Sequence, residues 1–278
     1  MKRLNISLLF FTFALPLIYA SEQALQDDIS FAFGTSFIAL RSDYTVPAGT
    51  EVFAYNGSFA WKHDWNSGLL GVSVDFSMGN DIYLRNGFSR SSYTNGRPQK
   101  NTLCQFETGA FWLWNFPLNS HSWRFALGPS LAIDGLIFPI ERTSSYSNIP
   151  YFHLNIHTGV RLAVNYSYRD FRLDFETNLP LLVMGHYSRL DNPLDPQLTP
   201  ANDGKQLLFW LTPNSFGGVW NHIQPQVYVT LSYTIAKSQR LKTILFLRYS
   251  PQFLFYNFNG DKTLYLNHSF SIGCKLIF

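Results

Sequence analysis

LNHSFSIGCKLIF, residues 266–278, alternates apolar residues with small or polar ones at every second position. The apolar positions of this alternation are Leu266, Phe270, Ile272, Cys274, Leu276 and Phe278. A period of two residues predicts a β-strand with one apolar and one polar face. The stretch also ends on a large apolar side chain, although the ends of soluble domains usually fray into water.

The same alternation recurs along the chain, and no segment shows a convincing helical period. We therefore predict an all-β protein, most simply with ten strands and with twelve or eight as alternatives. The ten predicted spans are 29–39, 52–62, 69–78, 102–116, 122–134, 152–166, 171–184, 222–235, 241–255 and 263–278.

The connections between these spans alternate in length, which is a second and partly independent signal. Short links fall at 63–67, 117–121, 167–170 and 236–240. Longer links fall at 41–50, 78–101, 135–151, 185–221 and 256–262. Short turns at one rim and long loops at the other are typical of a transmembrane, antiparallel up-and-down β-barrel. An even strand number places both chain ends at the short-turn rim, which is the periplasmic one in outer-membrane barrels.

Composition excludes several other classes. Charged residues make up only 14% of the chain and aromatic residues 17%, with a formal net charge of +3. Abundant aromatics argue against disorder, and the small charge without a Lys/Arg cluster predicts no nucleic-acid partner. The only long apolar run is at the start, where Lys2 and Arg3 precede Leu8–Ile18 and the small residue Ala20. Residues 1–20 therefore form a predicted signal peptide, and residues 21–278 form the exported barrel.

Charged residues in the predicted strands lie on the face opposite the apolar set. Because a charged side chain facing lipid at the midplane costs about 2–4 kcal/mol, these residues are expected in the lumen. Arg161 and Glu176 oppose each other if the link at 167–170 is tight, which predicts a charge-paired interior. The predicted lumen charge network comprises Asp75, Glu107, Arg124, Arg161, Arg172, Asp174, Glu176 and Arg248.

The aromatic and sulfur-containing residues fit the same arrangement. Trp61, Trp65, Trp112, Trp114 and Trp123 all lie at or beside predicted short turns, as expected of an interfacial girdle. Tyr166, Tyr168 and Tyr233 join them. Cys104 and Cys274 are predicted to face lipid at different heights, so we expect no disulfide. The polar residue His268 falls on the apolar face and is expected near the outer membrane interface.

Phe278 resembles the C-terminal aromatic residue of bacterial outer-membrane β-barrel proteins. The resemblance concerns this broad class and covers the whole exported chain. It implies a location in the outer membrane, contact with outer-membrane lipid, and Phe278 as an assembly signal read by the barrel-assembly machinery. It implies no particular activity.

Three functions follow as hypotheses. The first is a small porin-like or nearly closed barrel that passes small solutes or ions, because a barrel of this size is largely filled by side chains. The second is binding of a surface partner through the loops, above all 185–221. The third is an outer-membrane hydrolase.

The motifs argue against the hydrolase. Omptin proteases carry an Asp-Asp pair and an Asp-x-His, whereas the chain has only Asp27-Asp28 at its start and no Asp-x-His. Residues 95–97, Asn-Gly-Arg, resemble a phospholipase motif but lack its histidine. His153 and His157 lie four residues apart on one strand, about 13 Å, which argues against a shared metal ion. We therefore predict no enzyme, no cofactor and no metal.

Overall fold

The computed structural model describes residues 26–42, 46–65, 67–82, 93–94, 97–98, 102–116, 122–138, 151–187, 215–238, 241–258 and 261–278. The predicted signal peptide lies outside these described residues, as do residues 188–214 of the long predicted loop. Among the described residues, no helix is long and apolar enough to cross a membrane.

Ten long strands and four short ones make up the described chain. The long strands are β1 Gln26–Ser42, β2 Val46–Trp65, β3 Gly68–Ile82, β6 Thr102–Phe116, β7 Trp123–Phe138, β8 Tyr151–Tyr168, β9 Phe171–Tyr187, β12 Gln226–Lys237, β13 Lys242–Phe258 and β14 Asp261–Ile277. The short strands are β4 Tyr93–Thr94, β5 Arg97–Pro98, β10 Ser215–Gly218 and β11 His222–Ile223.

The ten long strands close into an antiparallel barrel, as the sequence predicted. Each strand pairs with the next, and β14 pairs with β1 from Asp28 opposite Ile277 to Ser42 opposite Thr263. Closure matters because backbone groups at an open sheet edge have no partners in lipid.

Within the described residues, 215–223 extend β12 and add no further hairpin, so this part of the chain gives no support to the twelve-strand alternative. β10 pairs antiparallel with β9, and β11 pairs antiparallel with β13, so both run in the direction of β12. Residues 219–221 form a turn between them, closed by the Asn221 amide bonding the Gly218 carbonyl at 3.0 Å. The two short strands complete the wall between β9 and β13 near the loop end.

Connection lengths agree with the prediction at one rim and differ at the other. At the rim that we call the turn end, β2 joins β3 and β8 joins β9 through two residues each. Arg169, in the β8–β9 turn, has φ 55°, the left-handed conformation that two-residue hairpins favour. At the opposite rim, the loop end, the links predicted as long at 41–50 and 256–262 are only residues 43–45 and 259–260. Strand pairing continues there beyond the alternating pattern.

The outside of the barrel is apolar. Phe33, Phe270 and Ile272 are 68%, 59% and 60% exposed, although each lies in the middle of a hydrogen-bonded strand. Cys104 and Cys274 also lie on this outer face, on β6 and β14, and both are free. The alternate positions point inward, where the buried groups include Asp134, His157 and Asn178.

Candidate functional site: the lumen

The Glu176 carboxylate pairs with two positively charged side chains in the half of the lumen nearer the turn end. Its Oε1 accepts a hydrogen bond from Lys62 Nζ at 2.6 Å, and its Oε2 accepts one from Arg161 Nη2. All three side chains are largely buried, with 12–15% of their surface exposed. The Arg161 guanidinium also lies 4.0 Å from the Phe111 ring centre, a cation–π contact. The carboxylate therefore crosslinks two wall strands, β2 and β8, to β9.

Further charges at this end are paired too. Arg172 Nε donates to Asp174 Oδ1 at 2.6 Å, and Asn165 Nδ2 donates to the same oxygen at 2.6 Å. Lys275 Nζ lies 3.6 Å from Asp28 Oδ2. This half of the lumen also contains a small buried apolar cluster of Phe111, Leu113, Ala126 and Ala163. Paired charges and apolar packing leave this half of the lumen filled.

A polar cavity, which we call the central chamber, lies halfway along the lumen. Its volume is about 60 Å³, enough for a few water molecules. Asp75, Glu107 and Arg248 line it, and among the described residues none of the three forms an ion pair. Glu107 Oε2 accepts from Gln226 Nε2 at 2.6 Å. Hydroxyl and amide groups supply most of the remaining wall: Asn56, Ser58, Ser77, Gln105, Gln226, Tyr228, Ser250, Gln252, Asn267, Ser269 and Ser271.

An apolar layer, the loop-end cluster, covers the lumen beyond the chamber. Its members point inward from the loop-end parts of six strands and are 0–2% exposed: Ile38, Leu40, Val52, Ala54, Leu103, Leu136, Leu254, Tyr256 and Tyr265. Tyr265 reaches down to the chamber wall, where its hydroxyl donates to Gln105 Oε1. The lumen is thus apolar at its outer part, polar in the middle and ion-paired at the turn end.

His153 and His157 converge on one carboxylate between the chamber and the loop-end cluster. Nε2 of His153 is 3.1 Å from Asp134 Oδ2, and Nε2 of His157 is 3.2 Å from Asp134 Oδ1. Asn155 Nδ2 donates to Oδ2 as well, at 3.2 Å. The spacing of about 13 Å along the strand holds for the backbone, whereas the two imidazole rings lean toward the same carboxylate. Within the described ranges, no group of three or more His, Cys, Asp or Glu side chains is arranged to hold a metal ion.

The eight predicted lumen charges do not form one network. Arg161, Arg172, Asp174 and Glu176 lie in the ion pairs at the turn end. Asp75, Glu107 and Arg248 line the central chamber instead. Arg124 is a correction, because it lies at the rim, with its side chain 46% exposed and bonded to Asp64. The predicted network did not include Lys62 and Lys275, which the alternation places on the inward face, or Asp28, which precedes the first predicted span.

The outer surface near the turn end carries most of the predicted aromatic girdle. Trp114 and Trp123 are 41% and 49% exposed there, and the Trp123 ring is tilted against that of Tyr166 with 4.8 Å between the ring centres. Trp112 is instead buried, with its ring centre 5.5 Å from that of Trp65. His268 differs from expectation, because it is the eighth residue of the seventeen in β14 and so lies far from either rim. Its Nδ1 is bonded to the Tyr249 hydroxyl at 2.8 Å on the apolar face.

A closed hydrogen-bonded wall, an apolar exterior and a polar interior define a transmembrane β-barrel of the outer-membrane type. No family model matches the sequence, and no curated protein matches it either.

Solved structures with a similar overall fold have differing activities. The outer-membrane protease OmpT from Escherichia coli is 13% identical, over 91% of this chain and 96% of that one, with a TM-score of 0.48. The β domain of the Bordetella autotransporter BrkA is 8% identical over 91% and 99%, with a TM-score of 0.43. The Pseudomonas putida toluene transporter TodX is 8% identical over 92% and 90%, with a TM-score of 0.36. At such identities the likeness concerns the fold alone.

Proposed function

We propose that this protein lies in the outer membrane with both chain ends in the periplasm and forms a narrow, nearly closed path for small ions. The observation that carries the proposal is the central chamber, because Asp75, Glu107 and Arg248 line it outside the ion pairs of the described residues. The ion-paired charges nearer the turn end stabilise the barrel wall. Charged side chains that face water inside a pore are the ones that select ions.

The size and lining of the lumen set what can pass. A chamber of about 60 Å³ admits water and small ions but no sugar or peptide. The loop-end cluster is a hydrophobic constriction, which opposes conduction until water enters it. Two carboxyl groups and one guanidinium line the chamber, so cations are the favoured species at a pH where both carboxyl groups are ionised.

Conductance of the refolded protein in a planar lipid bilayer tests the proposal. We expect small, infrequent, cation-selective steps from the wild type. Leu254→Ala shortens a side chain of the loop-end cluster and should raise the conductance or the open fraction. Leu247→Ala, on the outer face of the same strand, is the matched control and should change neither.

Selectivity is tested separately. The double variant Asp75→Asn, Glu107→Gln leaves Arg248 as the only charged residue among the described residues that line the chamber, and it should turn cation preference into anion preference. Asp170→Asn removes the same kind of charge in the exposed β8–β9 turn and should leave selectivity unchanged. Silence from the wild type and Leu254→Ala alike, in samples whose gel mobility shifts on boiling, would overturn the proposal.

The other two hypotheses, binding of a surface partner and an outer-membrane hydrolase, are not tested by the described residues. Binding of a surface partner by 185–221 stays a prediction, because residues 188–214 lie outside the described part of the chain. The absence of enzymatic activity also stays a prediction. An esterase and peptidase assay on the folded protein, with model substrates, would test it.

A further inference from the structure

A deep apolar groove runs across the outer surface of four neighbouring strands, β6 to β9. Its volume is about 800 Å³. Its wall includes Trp112, Trp114, Leu131, Val160, Leu181 and Leu182. The outer face elsewhere is built from closely spaced aromatic and aliphatic side chains, so a depression of this size needs a structural cause.

The cause lies in the backbone of the wall. The β8–β9 register shifts by one residue between Thr158 and Gly159, so Leu181 and Leu182 both point outward. Gly128 and Gly159 form part of the floor, and neither has room for a side chain. A Cβ atom would lie 1.9 Å from the Trp112 carbonyl oxygen at Gly128, and 2.2 Å from the Leu179 carbonyl oxygen at Gly159. Substitution therefore cannot fill the floor without moving strands, and the groove is a fixed feature of this wall.

The position of the groove indicates what occupies it. The outer face meets the hydrocarbon of the bilayer, so the groove opens toward lipid. Trp112 and Trp114 are near the turn end of β6, whereas Leu182 is two-thirds of the way along β9. The groove thus leads from the aromatic belt at the turn end toward the middle of the membrane, which is the path of an acyl chain. A cavity of about 150 Å³ already holds benzene, so about 800 Å³ accommodates a long flexible chain.

Trp112 forms the wall of the groove at its turn-end part and is only 8% exposed. Its indole Nε1 has no hydrogen-bond partner among the described residues, and the atom is itself covered by protein. A ligand in the groove therefore meets the ring of Trp112 and not its N–H group. Indole rings are the side chains that membrane proteins place at the depth of the lipid headgroups.

We propose that this groove binds one acyl chain of a diacyl phospholipid from the leaflet at the turn end, packed against the rings of Trp112 and Trp114. The bound lipid fills the depression in the barrel wall. This inference requires only that the barrel spans a membrane, and it does not depend on conduction through the chamber.

Native mass spectrometry of the protein, extracted in mild detergent from phosphatidylethanolamine-containing vesicles, tests the proposal. We expect one retained phospholipid per wild-type barrel. Val160→Trp and Leu131→Trp each place an indole in the groove and should lower its occupancy at least fivefold. Val74→Trp makes the same change on the outer face of β3, away from the groove, and should leave the occupancy unchanged.

Equal retention by the wild type and both groove-filling variants would overturn the proposal, provided that gel mobility shows all of them folded. Retention of free fatty acid in place of phospholipid would overturn it too. So would dimers crosslinked through Thr158→Cys, because a second copy would then cover the groove.

Discussion

Replacing Glu176 with glutamine isolates the contribution of the ion pairs at the turn end. The change preserves the size of the side chain but removes the charge shared by Lys62 and Arg161. At about 4 Å and an effective dielectric constant of about 20, each opposite pair is worth roughly 4 kcal/mol before desolvation. Breaking one buried pair by removing a partner costs about 3–5 kcal/mol of unfolding free energy. We expect a loss at the upper end of this range, because two cations lose their partner together.

Urea unfolding of the barrel in lipid vesicles, followed by tryptophan fluorescence, measures this loss. The matched control is Arg124→Gln, which breaks the rim pair with Asp64. Because these two side chains are 46% and 26% exposed, solvent screens the pair and the loss should stay within about 1 kcal/mol. If Glu176→Gln costs no more than Arg124→Gln, the lumen charges do not hold the wall together and the reasoning is wrong.

Three further predictions concern other parts of the barrel. Leu254→Ala should cost about 2–5 kcal/mol in the same urea titration, because it leaves a void in the loop-end cluster; a loss equal to that of the lipid-facing Leu247→Ala would contradict this. Tyr249→Phe should lower the free energy of unfolding by about 1–3 kcal/mol, because it leaves the His268 imidazole unpaired on the apolar face. Adding His268→Phe should restore the stability that was lost. Cys104 and Cys274 should stay reduced, so oxidised and reduced protein should migrate alike on a denaturing gel.

The strands could be predicted from the sequence because lipid imposes the alternation residue by residue. The predicted strands end too early at the loop end, where lipid no longer imposes this alternation. Residues 46–50, VPAGT, contain proline and glycine and were assigned to a loop, yet they extend β2, and Thr50 pairs with Leu40. Backbone hydrogen bonds between strands need no particular side chain, so this pairing leaves no periodic trace in the sequence.

The sequence predicted which side chains point into the lumen, but not how they divide into an ion-paired, a polar and an apolar layer. Alternation places Lys62 and Glu176 inside, but their contact joins residues 114 positions apart across the lumen. That contact depends on the stagger of the strands around the barrel, which no local pattern encodes. The loop-end cluster was missed for another reason. Ile38 and Leu40 are apolar on a strand whose opposite face is apolar too, so the sequence there does not distinguish inside from outside.

The seam between β1 and β14 has a consequence for how the barrel forms. It joins the two ends of the chain, with the Ser36 and Ser269 hydroxyls 2.6 Å apart and 233 positions apart in sequence. Contacts between such distant residues are slow to form, because a very long loop must close before they contribute. Until β14 is in place, the curved sheet has two open edges, each able to pair with another chain. The time that this seam takes to close therefore sets how long the open edges can pair with another chain.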